Sequence, residues 1–105
     1  GGISEAIKIS GIAHANNRMM CPHDCTGPIV WIANLHISLA FSNSMILESV
    51  RSYYNGFYKN LVNNLPRIDK GLAFPMDGVG LGTDLQDSLL KSPNTIIRKT
   101  TKNDL

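Results

Sequence analysis

The stretch "RMMCPHDCTGPIVWIANLH", residues 18–36, carries the signals that decide the fold. The short apolar run of residues 18–21 stops before Pro22, and a residue before proline is biased toward extended backbone. This predicts a strand that ends there. The polar residues 23–26 predict a loop. Pro28 suits the first position of a helix, where its missing N–H removes no hydrogen bond, so a helix is predicted to follow the loop.

A second helix and a second strand flank this stretch. Apolar residues at helical spacing predict a helix over residues 3–17, with Ser4 as its N-cap and Asn16 and Asn17 at its end. The run "MILES", residues 45–49, predicts another short buried strand. The resulting order of helix, strand, helix, strand is typical of parallel α/β structure.

The remaining elements are less regular. The glycine-rich segment "GVGLG", residues 78–82, predicts a turn that leads into a short helix capped by Thr83 or Asp84, and residues 94–100 predict a last strand.

The helix that begins at Pro28 is predicted to bury one apolar face, which contains Ile29, Ile32, Ala33, His36, Leu39 and Ala40. Two strands alone have little area to bury and two open edges, which argues against independent stability.

Composition and charge exclude several classes of protein. The chain has 105 residues, 43% hydrophobic and 17% charged, which excludes a disordered charged tail. A net charge of +2 is too small to indicate nucleic-acid or anionic-membrane binding. Asn34, His36 and Ser38 interrupt the longest apolar run, so no segment is expected to span a bilayer. No signal-peptide pattern is present, so Cys21 and Cys25 are interpreted as reduced thiols in the cytoplasm.

His23 and Glu48 form the strongest candidate site. Each follows an apolar run that predicts a strand, and in (β/α) barrels the reacting groups lie at the C-terminal ends of strands. Neighbouring parallel strands would place the two residues about 5 Å apart. Such a pair supplies a proton-transfer residue and a carboxylate side by side. From position alone, two loop residues that face solvent are an equally good interpretation.

A zinc site is the second candidate. Cys21, His23 and Cys25 have side chains that can ligate zinc, but the C-x-H-x-C spacing supplies three ligands without a second cluster. Buried or half-buried free thiols are therefore the better interpretation.

Other conspicuous residues have structural interpretations. His36 is predicted to be a hydrogen-bonded core residue, and the aromatic cluster at residues 53–58 is predicted to serve packing rather than to form a stacking site. Arg51 could bind a carboxylate, although surface arginines are common.

Three blocks of the sequence then resemble a known family. "GGISEAIKISGIAHANN", "CPHDCTGPIVWIANLHISLAFSNSMILE" and "GLAFPMDGVGLG" resemble the C-terminal part of the mandelate racemase and muconate lactonising group of the enolase superfamily. The likeness covers residues 1 to about 85 and is greatest to acid-sugar dehydratases of the galactonate kind. The chain begins at Gly1 without a Met, so we expect either part of a longer protein or N-terminal processing.

The resemblance implies an α/β fold that is incomplete as given. Residues 1–50 would form about the last two βα units of a modified TIM barrel. Residues 51–105 would return to pack on an α+β capping domain. Val79 departs from the family's usual proline before Gly-Leu-Gly, so the turn there is expected to differ.

The resemblance also implies a reaction and two catalytic, substrate-binding residues. His23 matches the family's general base or acid, and Glu48 matches a carboxylate that contacts the substrate or intermediate. The implied reaction removes the proton next to a carboxylate, forms an enediolate and eliminates water to give a 2-keto-3-deoxy acid. The resemblance places the family's Mg²⁺ ligands, and the Asp that pairs with the His, on strands outside this chain, so we expect no activity from these residues alone.

The resemblance also implies a substrate and partners for the parent protein, and several alternatives stay open beside it. A small sugar acid is the expected substrate, the parent is expected to be a homo-oligomer in the cytoplasm, and neither nucleic acid nor membrane is expected. A racemase or cycloisomerase of the superfamily, a non-catalytic truncated or degenerate paralogue, and a small zinc module stay open as alternatives.

Overall fold

In the computed structural model, which describes residues 1–104, helices alternate with extended segments. The α-helices are α1 (Gly2–Ala15), α2 (Pro28–Ala40), α3 (Arg51–Asn55) and α4 (Asp87–Leu90). Short 3-10 helices span Phe57–Asn60 and Lys102–Asp104, and strands β1 (Ile68–Asp69) and β2 (Leu72–Ala73) form a hairpin. Within residues 1–104, no helix is long and apolar enough to cross a membrane.

The extended segments after α1 and α2 run side by side in the same direction. Parallel bridges join Met20 to Ser44 and His23 to Glu48. The backbone N–H of Glu48 donates to the carbonyl of Pro22 at 2.9 Å. The predicted parallel pairing is confirmed, but the predicted strands are wrong in extent, because each segment makes isolated bridges rather than a continuous ladder. The prediction that residues 45–49 are buried is also wrong, because Met45 and Ile46 are 65% and 56% exposed. A two-stranded parallel pair has too few backbone partners to sustain a regular sheet.

Helix α1 differs from its prediction at its beginning. It starts at Gly2 with Gly1 as the N-cap and has no side-chain cap, so the prediction of Ser4 at the cap is wrong. The helix starts earlier than its apolar pattern does, which places Ser4 inside the first turn. Its end is closer to the prediction, because Asn17 has φ of 53°, the left-handed conformation that asparagine tolerates.

Helix α2 contributes most of the core. Pro28 is its first residue, as predicted. The buried hydrophobic side chains that form the core are Trp31, Ile32, Leu35, Ile37, Tyr58 and Val62. The predicted apolar face is wrong in part, because Ile29, Leu39 and Ala40 are exposed whereas Ile32 is buried. The buried face of α2 is the one that faces the aromatic residues after Glu48, so the side chain of Trp31, and not that of Leu39, points into the core.

The aromatic cluster confirms the predicted packing role of residues 53–58. The rings of Trp31 and Tyr54 stack with centroids 5.1 Å apart. Tyr58 packs edge-on against Phe57 at 4.8 Å. These contacts join α2 to the segment that follows Glu48 and so complete the core.

The tail forms turns rather than the predicted last strand. Gly78, Gly80 and Gly82 all have positive φ, which confirms the predicted glycine turn. Helix α4 follows, but its N-cap is Gln86 without a side-chain cap bond, so the prediction of a cap at Thr83 or Asp84 is wrong.

The hydroxyl of Thr83 has another partner. It donates to the carbonyl of Asn64 at 2.9 Å and so joins two loops instead of capping α4. The strand predicted over residues 94–100 is also wrong. Ile96 and Ile97 are 84% and 66% exposed, so their apolar side chains lack a surface against which a strand would form.

Candidate active site

His23 and Glu48 meet where the two parallel segments end. The Nδ1 atom of His23 lies 2.9 Å from Oε2 of Glu48. Their side chains are 56% and 55% exposed, so the pair is open on one side. The sequence-predicted juxtaposition is therefore present in the structure, and the two residues are partners rather than separate loop residues.

The contact sets the chemistry of the imidazole. An ionised carboxylate can only accept a hydrogen bond. In a neutral His23, Nδ1 therefore carries the ring proton and donates a hydrogen bond to Glu48. The lone pair then lies on Nε2, which has no hydrogen-bond partner within residues 1–104. A neutral imidazole held in this tautomer can accept a proton at Nε2 and return it.

Glu48 retains one oxygen for another contact. Oε2 accepts the hydrogen bond from His23, whereas Oε1 has no hydrogen-bond partner in the described part of the chain. The backbone of Glu48 is fixed independently by its bond to Pro22 and by the N–H of Asp24, which donates to its carbonyl at 3.2 Å. The side chain can therefore orient the imidazole and still contact a bound hydroxyl.

The residue after His23 is a buried carboxylate that the sequence analysis did not single out. Asp24 is 1% exposed and accepts a 2.8 Å hydrogen bond from the hydroxyl of Tyr58. Its other oxygen accepts the backbone N–H groups of Thr26 and Gly27 at 3.1 and 3.2 Å. Burial, followed by the hydrogen bond and negative charge of Asp24, raises the pKa of Tyr58 above its ordinary value.

Asn34 is a second residue that the sequence analysis did not assign to the site. Its Nδ2 atom donates to the carbonyl oxygen of His23 at 2.9 Å. The Asp-x-Thr-Gly spacing could have indicated that Asp24 closes the turn before α2, since Asp side chains often bond to N–H groups two residues on. Nothing local could have indicated Tyr58 or Asn34 as partners.

A cavity of about 440 Å³ opens beside His23. It lies between α1, α2 and the segment that carries His23, and it is lined mainly by apolar side chains: Ala6, Ile9, Met20, Pro22, Val30 and Ile37, together with Cys21 and Asn34. The lining supplies no second carboxylate beside His23. Among the described residues, Glu48 is therefore the carboxylate that contacts the imidazole of His23.

The proposed zinc alternative is wrong for this structure. Within residues 1–104, no group of three His, Cys, Asp or Glu side chains is placed to hold a metal ion. Cys21 and Cys25 are free and exposed, which also corrects the expectation that the thiols are buried or half-buried.

The other singled-out residues lie away from this pair. Nε2 of the half-buried His36 lies 3.5 Å from the carbonyl of Leu81, which agrees with a structural role. Arg51 is exposed at the first position of α3. Neither residue contributes a contact to His23 or Glu48.

Comparison with known proteins gives one consistent family. Residues 1–89 match the family model described as enolase C-terminal domain-like. The chain is 33% identical over 95 residues to the D-galactonate dehydratase of Verminephrobacter eiseniae (strain EF01-2), covering 86% of this chain and 25% of that protein. It is 33% identical over 94 residues to the D-galactonate dehydratase of Klebsiella pneumoniae (strain 342), covering 83% and 24%. The chain spans about a quarter of the length of these curated relatives.

Solved structures agree with this assignment. An enolase of the mandelate racemase subgroup from Agrobacterium tumefaciens superposes with a TM-score of 0.77 at 41% identity, covering 82% of this chain and 23% of that one. An enolase protein from the environmental genome shotgun sequencing of the Sargasso Sea superposes with a TM-score of 0.81 at 33% identity, covering 94% and 26%. The backbone arrangement around the parallel segments is therefore one that solved enzymes of this kind share.

Proposed function

The chain belongs to the enolase C-terminal domain-like family, and from this premise we propose that it is part of a Mg²⁺-dependent acid-sugar dehydratase. The resemblance inferred from the sequence blocks is confirmed by the family match and by the structural neighbours. Two relatives named D-galactonate dehydratase support a hydro-lyase as the parent enzyme. We further propose that residues 1–50 are its last two βα units and that residues 51–105 return to a capping domain.

The observation that carries the proposal is the pairing of His23 with Glu48. In the proposed reaction, Nε2 of His23 accepts the proton on the carbon next to the substrate carboxylate, and the C–H electron pair moves into that carboxylate as an enediolate. The electrons then form a carbon–carbon double bond as the hydroxyl group leaves the next carbon, and the leaving oxygen takes the proton held on Nε2 of His23 to become water. The enol that remains tautomerises to a 2-keto-3-deoxy acid.

Glu48 has one proposed role in this reaction, the substrate contact that the resemblance implies for it. Its free oxygen contacts a hydroxyl of the substrate or intermediate. General acid–base catalysis by a positioned imidazole contributes on the order of 10²–10⁴ in rate, so His23 would be a major but not a sole source of acceleration.

The metal is assigned to the whole enzyme and not to these residues. Asp24 is buried under Tyr58, and Glu48 offers a single free oxygen, fewer than the several oxygen ligands that Mg²⁺ needs. We propose that the Mg²⁺ ligands lie on parts of the parent outside this chain. The residues of this chain supply proton transfer and substrate contact.

The test uses the full-length protein that contains this chain. It is incubated with Mg²⁺ and D-galactonate as the probe, and the 2-keto-3-deoxy product is followed by NMR. We expect the unmodified protein to form product and His23→Asn to lose about 10²–10⁴-fold in kcat. His14→Asn is the matched control, because His14 is exposed in the last turn of α1, and it should retain full activity.

The same experiment separates the alternatives. Exchange of the proton next to the carboxylate with solvent deuterium, without loss of water, would indicate a racemase of the subgroup to which the structural neighbours belong. Neither exchange nor product formation with a panel of sugar acids would indicate a non-catalytic paralogue. Unchanged turnover in His23→Asn would remove His23 from the mechanism.

A further inference from the structure

Asp24 holds both ends of residues 48–58, which we call the 48–58 loop. Its backbone N–H donates to the carbonyl of Glu48 at 3.2 Å, and its carboxylate accepts the hydroxyl of Tyr58 at 2.8 Å. The chain therefore leaves Asp24 at one end of the loop and returns to it at the other. Compact surface loops of about 6–16 residues whose ends lie close together are frequently functional.

The residue that closes this loop is itself well fixed. Asp24 is 1% exposed, and its second carboxylate oxygen accepts the N–H groups of Thr26 and Gly27 at 3.1 and 3.2 Å. A buried carboxylate is costly unless it is hydrogen-bonded, so the group strongly prefers the position in which all its donors reach it. At the beginning of the loop, the N–H of Glu48 also donates to the carbonyl of Pro22 at 2.9 Å.

Between its ends, the loop depends on side chains for its position. Within α3, the N–H of Tyr54 donates to the carbonyl of Val50 at 3.3 Å, so this bond stays inside the loop. The ring of Tyr54 stacks on Trp31 of α2 with centroids 5.1 Å apart. Local backbone bonds shape the loop but do not fix it to the rest of the protein. Its position therefore depends on ring packing and on the bond between Tyr58 and Asp24.

We propose that Asp24 and Tyr58 are positioning residues that keep the 48–58 loop closed beside the substrate-contacting carboxylate of Glu48. Without the bond at Tyr58, the loop would be tied to Asp24 at one end only, and open states would be populated. Substrate would then bind only the closed fraction of the molecules, which raises the apparent dissociation constant in proportion. This inference deepens the proposed function, because it rests on the substrate contact given there to Glu48.

Closure of the loop needs a group of the right shape at position 24 and not a negative charge. An amide can still accept the N–H groups of Thr26 and Gly27 through its oxygen and donate to the oxygen of Tyr58 through its nitrogen. Asp24→Asn should therefore keep the loop closed, whereas Asp24→Ala should release it.

Amide hydrogen exchange in the full-length protein, followed by mass spectrometry, measures the opening of the loop without any substrate. In the unmodified protein we expect peptides from residues 50–58 to be about as protected as those from α2. Tyr58→Phe removes one hydroxyl and keeps the ring, and it should make exchange in the loop at least about tenfold faster while α2 stays protected. Asp24→Ala should do the same, and Asp24→Asn should not.

Tyr54→Phe is the matched control for the exchange experiment. Tyr54 lies in the same loop and the same aromatic cluster, and its contact with Trp31 is made by the ring. Removal of its hydroxyl should therefore leave exchange in the loop unchanged.

Steady-state kinetics with Mg²⁺ and D-galactonate supply the second readout. Tyr58→Phe and Asp24→Ala should each raise KM about tenfold, because only the closed fraction binds substrate. Both should change kcat by less than about threefold, because the loop is already closed in the bound enzyme. A merely structural role would instead lower the amount of folded enzyme, and with it the apparent kcat, and would leave KM unchanged.

Two results would overturn the inference. One is a loop that exchanges no faster than α2 in both Tyr58→Phe and Asp24→Ala, and the other is an unchanged KM in both variants of an active enzyme. If neither variant folds, the unmodified protein decides, because residues 50–58 that exchange far faster than α2 would show that the loop is not closed. Expected exchange changes in a protein that does not dehydrate D-galactonate would contradict the proposed function and support the closure.

Discussion

Removing one hydroxyl group from the core tests how much the buried Asp24–Tyr58 pair stabilises the protein. Tyr58 and Asp24 are both 1% exposed, and their oxygens lie 2.8 Å apart. A hydrogen bond to a charged group contributes about 1.5–3 kcal/mol. Asp24 keeps its two backbone donors in Tyr58→Phe, so the lower part of that range, about 1.5–2 kcal/mol, is expected for the loss in free energy of unfolding.

The assay is urea-induced unfolding of the purified protein at pH 7, followed by far-ultraviolet circular dichroism. Tyr54→Phe removes a hydroxyl from a neighbouring ring that stacks on Trp31, and it should change stability by less than about 0.5 kcal/mol. An equal effect of the two variants would refute the argument, because it would mean that the contact with Asp24 contributes nothing beyond an ordinary tyrosine hydroxyl.

Three further predictions follow from the same contacts. The pKa of Tyr58 is raised in the folded protein. The stability that its protonated hydroxyl contributes is therefore complete below the ordinary pKa of about 10 and is lost as the pH rises from there toward the folded value. Unfolding free energies measured across alkaline pH should fall less steeply in Tyr58→Phe. Ile32 is 0% exposed, so Ile32→Val should destabilise by about 0.5–1.5 kcal/mol, whereas truncation of Leu39, which is 57% exposed, to Ala should be within about 0.5 kcal/mol in the same urea titration. A Cβ on Gly82 would lie 2.8 Å from Met76 Cβ at a φ of +76°, so Gly82→Ala should destabilise the protein by at least about 1 kcal/mol. A Cβ on Gly11 would meet nothing within 4 Å, so Gly11→Ala should stabilise α1 by about 0.5–1 kcal/mol. A gain in stability from both substitutions would contradict the turn geometry.

Local signals predicted the elements that position the site. Pro28 has a fixed φ, and it marked the beginning of α2, whereas the extended segment that contains Pro22 continues to the bridge at His23. Parallel pairing follows from the alternation of helix and extended segments, so the approach of His23 to Glu48 could be predicted from their equivalent positions.

Long-range packing could not be predicted in the same way. The apolar pattern of α2 is compatible with more than one buried face, and the observed one depends on aromatic residues far along the chain. Tyr58 and Asp24 are 34 positions apart, and no local pattern joins them. The predicted strand containing Ile96 failed for a related reason, because a β-prone segment becomes a strand only where a partner offers backbone groups.

A double-mutant cycle tests most directly whether His23 and Glu48 act as one catalytic unit. It compares kcat/KM for D-galactonate in the unmodified full-length protein, in His23→Asn, in Glu48→Gln and in the double variant. Residues that act as a unit are strongly non-additive, so the double variant should be no more than about threefold slower than His23→Asn alone. Losses that multiply, with the double variant slower by the full product of the two single effects, would contradict the account of His23 and Glu48 as a pair that acts on one substrate.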